Sequence, residues 1–73
     1  MPTAEIVSIG SELLLGQIVD TNAAWMAQRL NNLGVDIYFK TVVGDNPDRM
    51  KAVINRALDR ADIVITGGGL GPT

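Results

Sequence analysis

Hydrophobic residues recur along the chain in two patterns, as short continuous runs and as stretches with helical spacing. Residues 6–9 and 63–65 are the short apolar runs, and residues 35–43 are also rich in β-branched and aromatic side chains, which favour strands. Between the runs, apolar residues recur at the spacing expected for one face of a helix. The chain is therefore predicted to form a strand, a helix, a strand, a helix and a strand, in that order.

The first helical stretch follows Asp20, Thr21 and Asn22, which are all residue types that cap helices. Its apolar face consists of Ala23, Met26, Ala27, Leu30 and Leu33. Gly34 comes next, and we expect it to end the helix with a positive φ. Trp25 lies about 100° around the helix from Met26, so it is expected at the edge of the core or at a subunit interface.

The second helical stretch is predicted to begin at Pro47, with Asn46 as its N-cap. Its buried stripe comprises Met50, Val53, Ile54, Ala57, Leu58 and Ala61. Four basic residues are expected on its solvated face, namely Arg49, Lys51, Arg56 and Arg60.

Strands that alternate with helices predict an α/β fold in which a parallel sheet is joined by right-handed crossovers. The second strand carries Asp36, Tyr38 and Lys40 at alternate positions, so one of its faces is partly in contact with water. A central parallel strand is covered on both faces and is usually apolar throughout. The second strand is therefore predicted at an edge, which gives the strand order 2-1-3.

In open sheets of this kind, ligands bind beyond the carboxyl ends of the strands, where the strand order reverses. For the order 2-1-3, the loops that meet there are residues 10–22 and 67–73. Four of the five residues from 67 to 71 are glycine. Their amides could form a nest that binds an anion, or the glycines could simply form the turn after the third strand. The glycine pattern alone favours neither alternative.

The loop of residues 10–22 is long for a connection between a strand and a helix, and it is rich in oxygen-bearing side chains. Those side chains are Ser11, Glu12, Asp20, Thr21 and Asn22. Asp20 and Asn22 have a simpler interpretation as helix caps, and Glu12 as a solvated loop charge. Residues 13–15 are expected to pack as a lid or a short turn.

Composition narrows the possible chemistry. The chain has neither cysteine nor histidine, which excludes disulfides, thiol nucleophiles and imidazole catalysis. A metal would have to bind oxygen ligands, which favours a hard cation such as magnesium. The net charge of -2 argues against a nucleic-acid partner. No apolar run is long enough to cross a membrane and no basic secretory leader is present, so a cytoplasmic location is expected.

Three sequence blocks, residues 9–22, 42–45 and 68–73, together resemble the start of the CinA (competence/damage-inducible) proteins. Their N-terminal domain is similar to the molybdopterin-binding domains of Mog, MoaB and MoeA. The resemblance implies a three-layer α/β/α domain about twice as long as these 73 residues. Residues 1–73 are therefore expected to be the truncated N-terminal half of one such domain, without the C-terminal nicotinamide mononucleotide deamidase domain of many members.

The resemblance also implies a function, in which the glycine loop holds the phosphate of a small nucleotide or pterin ligand. Carried over to matching positions, the phosphate ligands would be Gly68, Gly69, Gly71 and Thr73. The opposite wall would consist of Ser11, Glu12, Asp20 and Asn22, of which the two acids are candidate ligands of a divalent metal. Full-length relatives are expected to be homo-oligomers.

Two functions stay open at this point. One is metal-dependent hydrolysis of ADP-ribose or another nucleotide pyrophosphate, and the other is a binding module without catalysis. Family members continue past the Gly-Pro-Thr segment with acidic residues, and this sequence ends at Thr73. The 73-residue chain alone is therefore expected to lack hydrolytic activity.

Overall fold

The computed structural model describes residues 2–68. Its elements in chain order are β1 (Thr3–Ile9), α1 (Ser11–Leu14), α2 (Thr21–Asn32), β2 (Asp36–Val43), α3 (Pro47–Arg60) and β3 (Ile63–Gly68). The predicted α/β class and the alternation of strands and helices are confirmed. The short helix α1 forms where a lid or a turn is expected from residues 13–15. Among the described residues, no helix is both long and apolar enough to cross a membrane.

The three strands form one parallel sheet in the order β2-β1-β3, as predicted. Ile9, the last residue of β1, pairs with Val43 of β2 on one side and with Gly68 of β3 on the other. The carboxyl ends of all three strands are therefore level. The segment that leaves β1 therefore begins beside Gly68, the last residue of β3, at this edge of the sheet.

Helices α2 and α3 cover opposite faces of the sheet. On one face, Val7 belongs to the buried core with Ala57 of α3. On the other face, Met26 of α2 lies against Gly67, which is the register partner of Ser8. Successive strand residues such as Val7 and Ser8 point to opposite faces, so the two helices cannot share one. Right-handed crossovers produce this arrangement when the strand order reverses.

The N-terminal ends of both long helices are capped by the predicted residues. The Asn46 side chain accepts a hydrogen bond from the backbone N–H of Arg49 at 3.0 Å, and Pro47 is the first residue of α3. Asp20 Oδ1 accepts from the backbone N–H of Ala23, also at 3.0 Å. Each cap satisfies an amide that has no acceptor inside its helix, which stabilises the helix by about 1 kcal/mol.

Helix α2 ends in a Schellman motif. Gly34 has a φ of 83°, as predicted from its position. Its N–H donates to the carbonyl of Asn31 at 3.1 Å, and the N–H of Val35 donates to the carbonyl of Leu30 at 3.0 Å. This backbone conformation is strained for any residue with a side chain, which explains the glycine.

Two apolar residues assigned to buried helix faces are instead exposed, Leu33 by 78% and Leu58 by 59%. Leu33 is the C-cap of α2, so helical spacing no longer sets the direction of its side chain. Leu58 follows Ala57, which is fully buried against the sheet, and is rotated from it by about 100° around the helix. The contact between α3 and the sheet is therefore narrower than the sequence pattern predicts.

Arg60 is exposed, as expected for the solvated face of α3, but its side chain also reaches the sheet, which the sequence pattern does not predict. Its guanidinium donates two hydrogen bonds to Glu5, from Nε to Oε1 at 2.7 Å and from an Nη to Oε2 at 2.9 Å. Glu5 lies within β1 and is completely buried, whereas 33% of the Arg60 side chain is exposed. The last turn of α3 passes over the sheet, so a long side chain there can reach β1.

Thr41 and Phe39 of β2 complete the surroundings of Glu5. The Thr41 hydroxyl donates to Glu5 Oε2 at 2.8 Å, and the Arg60 guanidinium lies 3.7 Å from the centre of the Phe39 ring. The hydrogen bonds from Arg60 are the main reason that the pKa of Glu5 is below its ordinary value. Burial opposes this shift, and the bond from Thr41 adds to it. We call Glu5, Arg60, Thr41 and Phe39 the Glu5 cluster.

Candidate functional site

A cleft of about 600 Å³ opens at the carboxyl ends of β1 and β3, beside the first turns of α2. Its polar side chains are Ser8, Glu12, Asp20, Thr21 and Asn22, and Gly67 and Gly68 contribute backbone. Its apolar lining includes Leu13, Ile18, Val19, Trp25 and Met26. The cleft therefore lies at the point of strand-order reversal, where sequence reasoning places a ligand. It also has both polar and apolar walls, as small-molecule sites usually do.

The backbone requires glycine at position 68. Gly68 has a φ of 87°, and a Cβ added there would overlap with the carbonyl oxygen of Ile9 on the neighbouring strand. At Gly67, by contrast, a Cβ would lie 3.6 Å from the terminal carbon of Met26, which is an ordinary contact. The close approach of β3 to β1 therefore explains Gly68 without any ligand. The anion-nest interpretation of the same residue stays a prediction.

Asp20 serves as a helix cap and lines the cleft. Its Oδ1 accepts from the backbone of Ala23, while the residue forms part of the cleft wall just before α2. Thr21 and Asn22 follow in the first turn of α2 and are exposed along the same wall. The two interpretations of Asp20 that the sequence leaves open are thus compatible in this structure.

Glu12 enters the cleft from α1. Its carboxylate lies close to Gly10, since a Cβ added to Gly10 would come within 2.8 Å of Glu12 Oε1. Gly10 itself is fixed by a hydrogen bond of 2.9 Å from its N–H to the carbonyl of Val43. Because Gly10 follows β1 and has no side chain, there is room for the Glu12 carboxylate next to it, at the carboxyl edge of the sheet.

Ser11 does not line the cleft. Its hydroxyl oxygen accepts a hydrogen bond of 3.3 Å from the backbone N–H of Asp45, which ties the start of α1 to the turn after β2. The other predicted phosphate ligands, Gly69, Gly71 and Thr73, lie outside the described residues. Of the eight predicted site residues, the cleft therefore brings together Glu12, Asp20, Asn22 and Gly68.

The acids of the cleft do not form a complete metal site by themselves. Within residues 2–68, no group of three or more His, Cys, Asp or Glu side chains is placed to hold a metal ion. Two carboxylates do line the cleft, those of Glu12 and Asp20. Magnesium commonly binds one or two protein carboxylates together with water and the phosphates of a ligand. The donor set therefore fits a cation shared with a bound phosphate.

Sequence reasoning did not assign Ser8, Ile18, Val19, Trp25 or Met26 to this site. Ser8 carries a usable signal, because it is a polar residue near the carboxyl end of a strand that is otherwise apolar there. Trp25 carries no such signal, because its position off the apolar stripe of α2 predicts a contact at the core edge or at a subunit interface and not in a cleft. No local sequence feature assigns Ile18 and Val19 to the cleft, because an apolar residue in a loop does not indicate what its side chain contacts or where it points.

Comparison with known proteins gives a consistent result. The profile of a family described as a probable molybdopterin binding domain matches residues 5–73. A protein of Caldicellulosiruptor saccharolyticus named as competence-damage inducible is 61% identical over 70 residues, covering 96% of this chain and 17% of the relative. A protein of Gloeobacter violaceus named CinA-like is 57% identical over 72 residues, covering 99% of this chain and 17% of the relative.

A solved structure extends the comparison to the fold. The crystal structure of the protein CinA, of unknown function, from Thermoplasma acidophilum superposes with a TM-score of 0.93 at 36% sequence identity. The superposition covers 99% of this chain and 43% of that one. The chain thus spans 17% of the length of the relatives named above and less than half of the solved structure.

Proposed function

The chain belongs to the family of probable molybdopterin binding domains, and from that premise we propose that its cleft binds the phosphate of a small nucleotide or pterin ligand. The observation that carries the proposal is the position of the cleft. It lies at the point of strand-order reversal, between the segment that follows β1 and the glycines that end β3. Parallel sheets of this kind bind their ligands at that point.

The polar wall of the cleft offers suitable donors for phosphate. The first amides of a helix have no acceptor inside it. In α2 the amide of Ala23 donates to Asp20 and that of Thr21 donates to the carbonyl of Val19, which leaves the amide of Asn22 for a ligand. The neighbouring Thr21 and Asn22 add a hydroxyl and a side-chain amide on the same wall. A phosphate here would also interact favourably with the N-terminal end of the α2 dipole.

The two carboxylates limit how a phosphate can bind. Glu12 and Asp20 line the same cleft, and their negative charges would repel an anion. A divalent cation held by Glu12, Asp20 and the phosphate oxygens would remove this repulsion, and it would supply charge neutralisation at the phosphorus. We therefore expect phosphate binding to depend on magnesium.

Hydrolysis of a nucleotide pyrophosphate is the second candidate function, and the acids in the cleft are what favours it. Such a reaction needs a positioned and activated water molecule. Glu12 and Asp20 are the carboxylates that line the cleft, and the proposed cation would occupy both, which leaves neither of them as a general base. We therefore propose binding as the function of this chain and expect no measurable release of AMP from ADP-ribose with magnesium. Steady release of AMP by the purified 73-residue chain would contradict this assignment.

Amide chemical shifts test the proposed binding site directly. AMP would be titrated, with and without magnesium, into the 73-residue chain. We expect shifts within residues 10–22 and 67–73 that require the metal. Shifts confined to the exposed side of α3, around Lys51 and Arg56, would place the site elsewhere.

A pair of asparagine variants provides a matched comparison. Asn22 lines the cleft, whereas Asn55 is exposed on α3 at a distance from it. A hydrogen bond to a charged group contributes about 1.5–3 kcal/mol, so Asn22→Ala should weaken AMP binding by about tenfold or more. Asn55→Ala should leave the affinity unchanged. Equal affinities for both variants would remove Asn22 from the proposed site.

A further inference from the structure

We propose that Trp25 forms the surface on which the ring of the ligand stacks, so that the cleft selects phosphates that carry an aromatic heterocycle. The inference rests on the proposed function and adds to it the residue that recognises the ring. Trp25 lines the cleft from the second turn of α2, and 61% of its surface is nevertheless exposed. A large aromatic side chain that faces a concave site has surface available for a ligand.

Packing within the described part of the chain does not account for this tryptophan. The residues of α2 that contact the sheet include Ala23, which is 5% exposed, and Met26, which is partly buried. Trp25 lies about 100° around the helix from Met26, so it lies beside the face of α2 that packs on the sheet. A single exposed apolar residue on a convex surface would need no explanation. Trp25 differs because it forms a wall of the cleft.

The guanidinium of Arg29 forms a cation–π contact with the indole of Trp25. The guanidinium lies 5.4 Å from the centre of the Trp25 ring, one helical turn further along α2. A cation over an aromatic face is a favourable contact and restricts the rotamers of the ring. The contact favours one arrangement of the indole, which would lower the entropic cost of stacking a ligand on it.

The surroundings of Trp25 divide the cleft into two functional parts. Thr21 and Asn22, in the first turn of α2, are polar, and Trp25 lies one turn later, about 5 Å along the axis. Ile18 and Val19 add apolar surface and are themselves 54% and 83% exposed. A ligand with a phosphate at one end and a flat ring at the other matches this order. A simple sugar phosphate would leave the apolar part empty.

The sequence makes the experiment direct, because Trp25 is the only tryptophan of the chain. Its fluorescence would be followed during titration with AMP, ribose 5-phosphate and inorganic phosphate in the presence of magnesium. Calorimetry with the same probes, and with a phosphorylated pterin, would give the affinities. We expect AMP to quench the fluorescence and to bind about tenfold or more tightly than ribose 5-phosphate, within the range for base stacking on an aromatic side chain.

Three variants separate stacking from folding and from non-specific effects. Trp25→Leu should weaken AMP binding by about tenfold while leaving ribose 5-phosphate unchanged, and Trp25→Phe should retain most of the affinity for AMP. Tyr38→Leu is the matched control, because Tyr38 is 67% exposed on β2 and does not line the cleft. Circular dichroism would show whether each variant is folded. If Trp25→Leu does not fold, the affinity of Trp25→Phe for AMP still tests the stacking role.

The outcomes distinguish this inference from the proposed function. If AMP and ribose 5-phosphate bind equally well and Trp25→Leu changes neither, stacking is refuted and phosphate binding stands. If no phosphate probe binds to the wild-type protein, the proposed function fails and the stacking role fails with it. A blue-shifted Trp25 emission that no probe alters would mean that Trp25 is already covered in the unliganded protein, which also refutes the inference.

Discussion

Carboxylates lie in two contrasting regions of this small sheet. In the Glu5 cluster, Glu5 is completely buried and receives two hydrogen bonds from Arg60 and one from Thr41. At the carboxyl edge, Glu12 is exposed and Asp20 partly so, and both line an open cleft. Asp20 receives a single hydrogen bond, from the start of α2.

The difference shows how a stabilising carboxylate can be told from one available to a ligand. A charge inside the protein is tolerated only when other groups of the chain pair with it, because its desolvation is costly. Within the described residues, no buried side-chain nitrogen or oxygen lacks a hydrogen-bond partner. The Glu5 cluster is therefore complete, whereas the acids of the cleft keep oxygens in contact with water. Substitutions in the first region should change stability, and those in the second should change binding.

The largest expected effect follows from removing the positive charge of Arg60 from the Glu5 cluster. Arg60→Met would leave Glu5 buried with only Thr41 as a partner, and breaking such a pair is strongly destabilising. Arg60 is partly exposed, which reduces the loss, and we expect a fall in Tm of about 10 °C. Arg56→Met, on the exposed side of the same helix, is the control and should change the Tm little. Equal effects of the two substitutions would mean that the ion pair is not what stabilises this region.

Gly68 and Gly67 test whether the glycines at the cleft are needed for folding. Gly68→Ala combines a positive φ with an overlap against Ile9, so it should lower the free energy of unfolding by about 2 kcal/mol. Gly67→Ala has neither problem and should cost less than about 1 kcal/mol. Denaturant titration of both variants measures the difference. Similar losses of unfolding free energy in the two variants would show that the close approach of β3 to β1 is not the reason for glycine at position 68.

The Glu5 cluster also predicts how stability depends on pH. The pKa of Glu5 is lower in the folded chain than its ordinary value of 4.5, mainly because of the hydrogen bonds from Arg60. Unfolding in acid therefore takes up a proton, and the stabilisation present above pH 4.5 is lost as the pH falls through the folded pKa. Urea unfolding between pH 7 and pH 3 should show this loss, and Glu5→Gln should reduce its slope. An unchanged slope in the variant would assign the acid sensitivity to other carboxylates.

The sequence predicts the fold well because its signals are local. Asn46 and Pro47 mark the start of α3, Gly34 marks the end of α2, and the polar alternation in β2 identifies an edge strand. Each of these features depends on residues a few positions apart. The resemblance to CinA proteins is also confirmed, by relatives with that name and by the family match.

The parts that sequence reasoning missed depend on contacts between distant positions. Glu5 and Arg60 are 55 residues apart, and periodicity places Arg60 on the outside of α3 because it describes one helix at a time. That a ligand binds in the cleft stays a prediction, but a site at this edge of the sheet was expected because strand order and loop composition coincide there. Its apolar wall was not, since nothing in a single helical pattern says that Trp25 faces a concave surface. Ser11 was included for its hydroxyl, which instead binds the backbone of Asp45.

The smallest expected change in stability comes from Asp20→Asn, and it tests whether one side chain has two roles. Asparagine caps a helix about as well as aspartate, so the bond to the N–H of Ala23 should persist and stability should change by less than about 0.5 kcal/mol. The variant removes one negative charge from the cleft, so AMP should bind with a weaker dependence on magnesium. Asp20→Ala, which loses the cap as well, should cost about 1 kcal/mol in addition. Thermal unfolding and calorimetry at several magnesium concentrations measure the two effects separately. If Asp20→Asn leaves the magnesium dependence of binding unchanged, Asp20 is a helix cap only, and the proposed cation contact in the cleft has to be assigned to Glu12 alone.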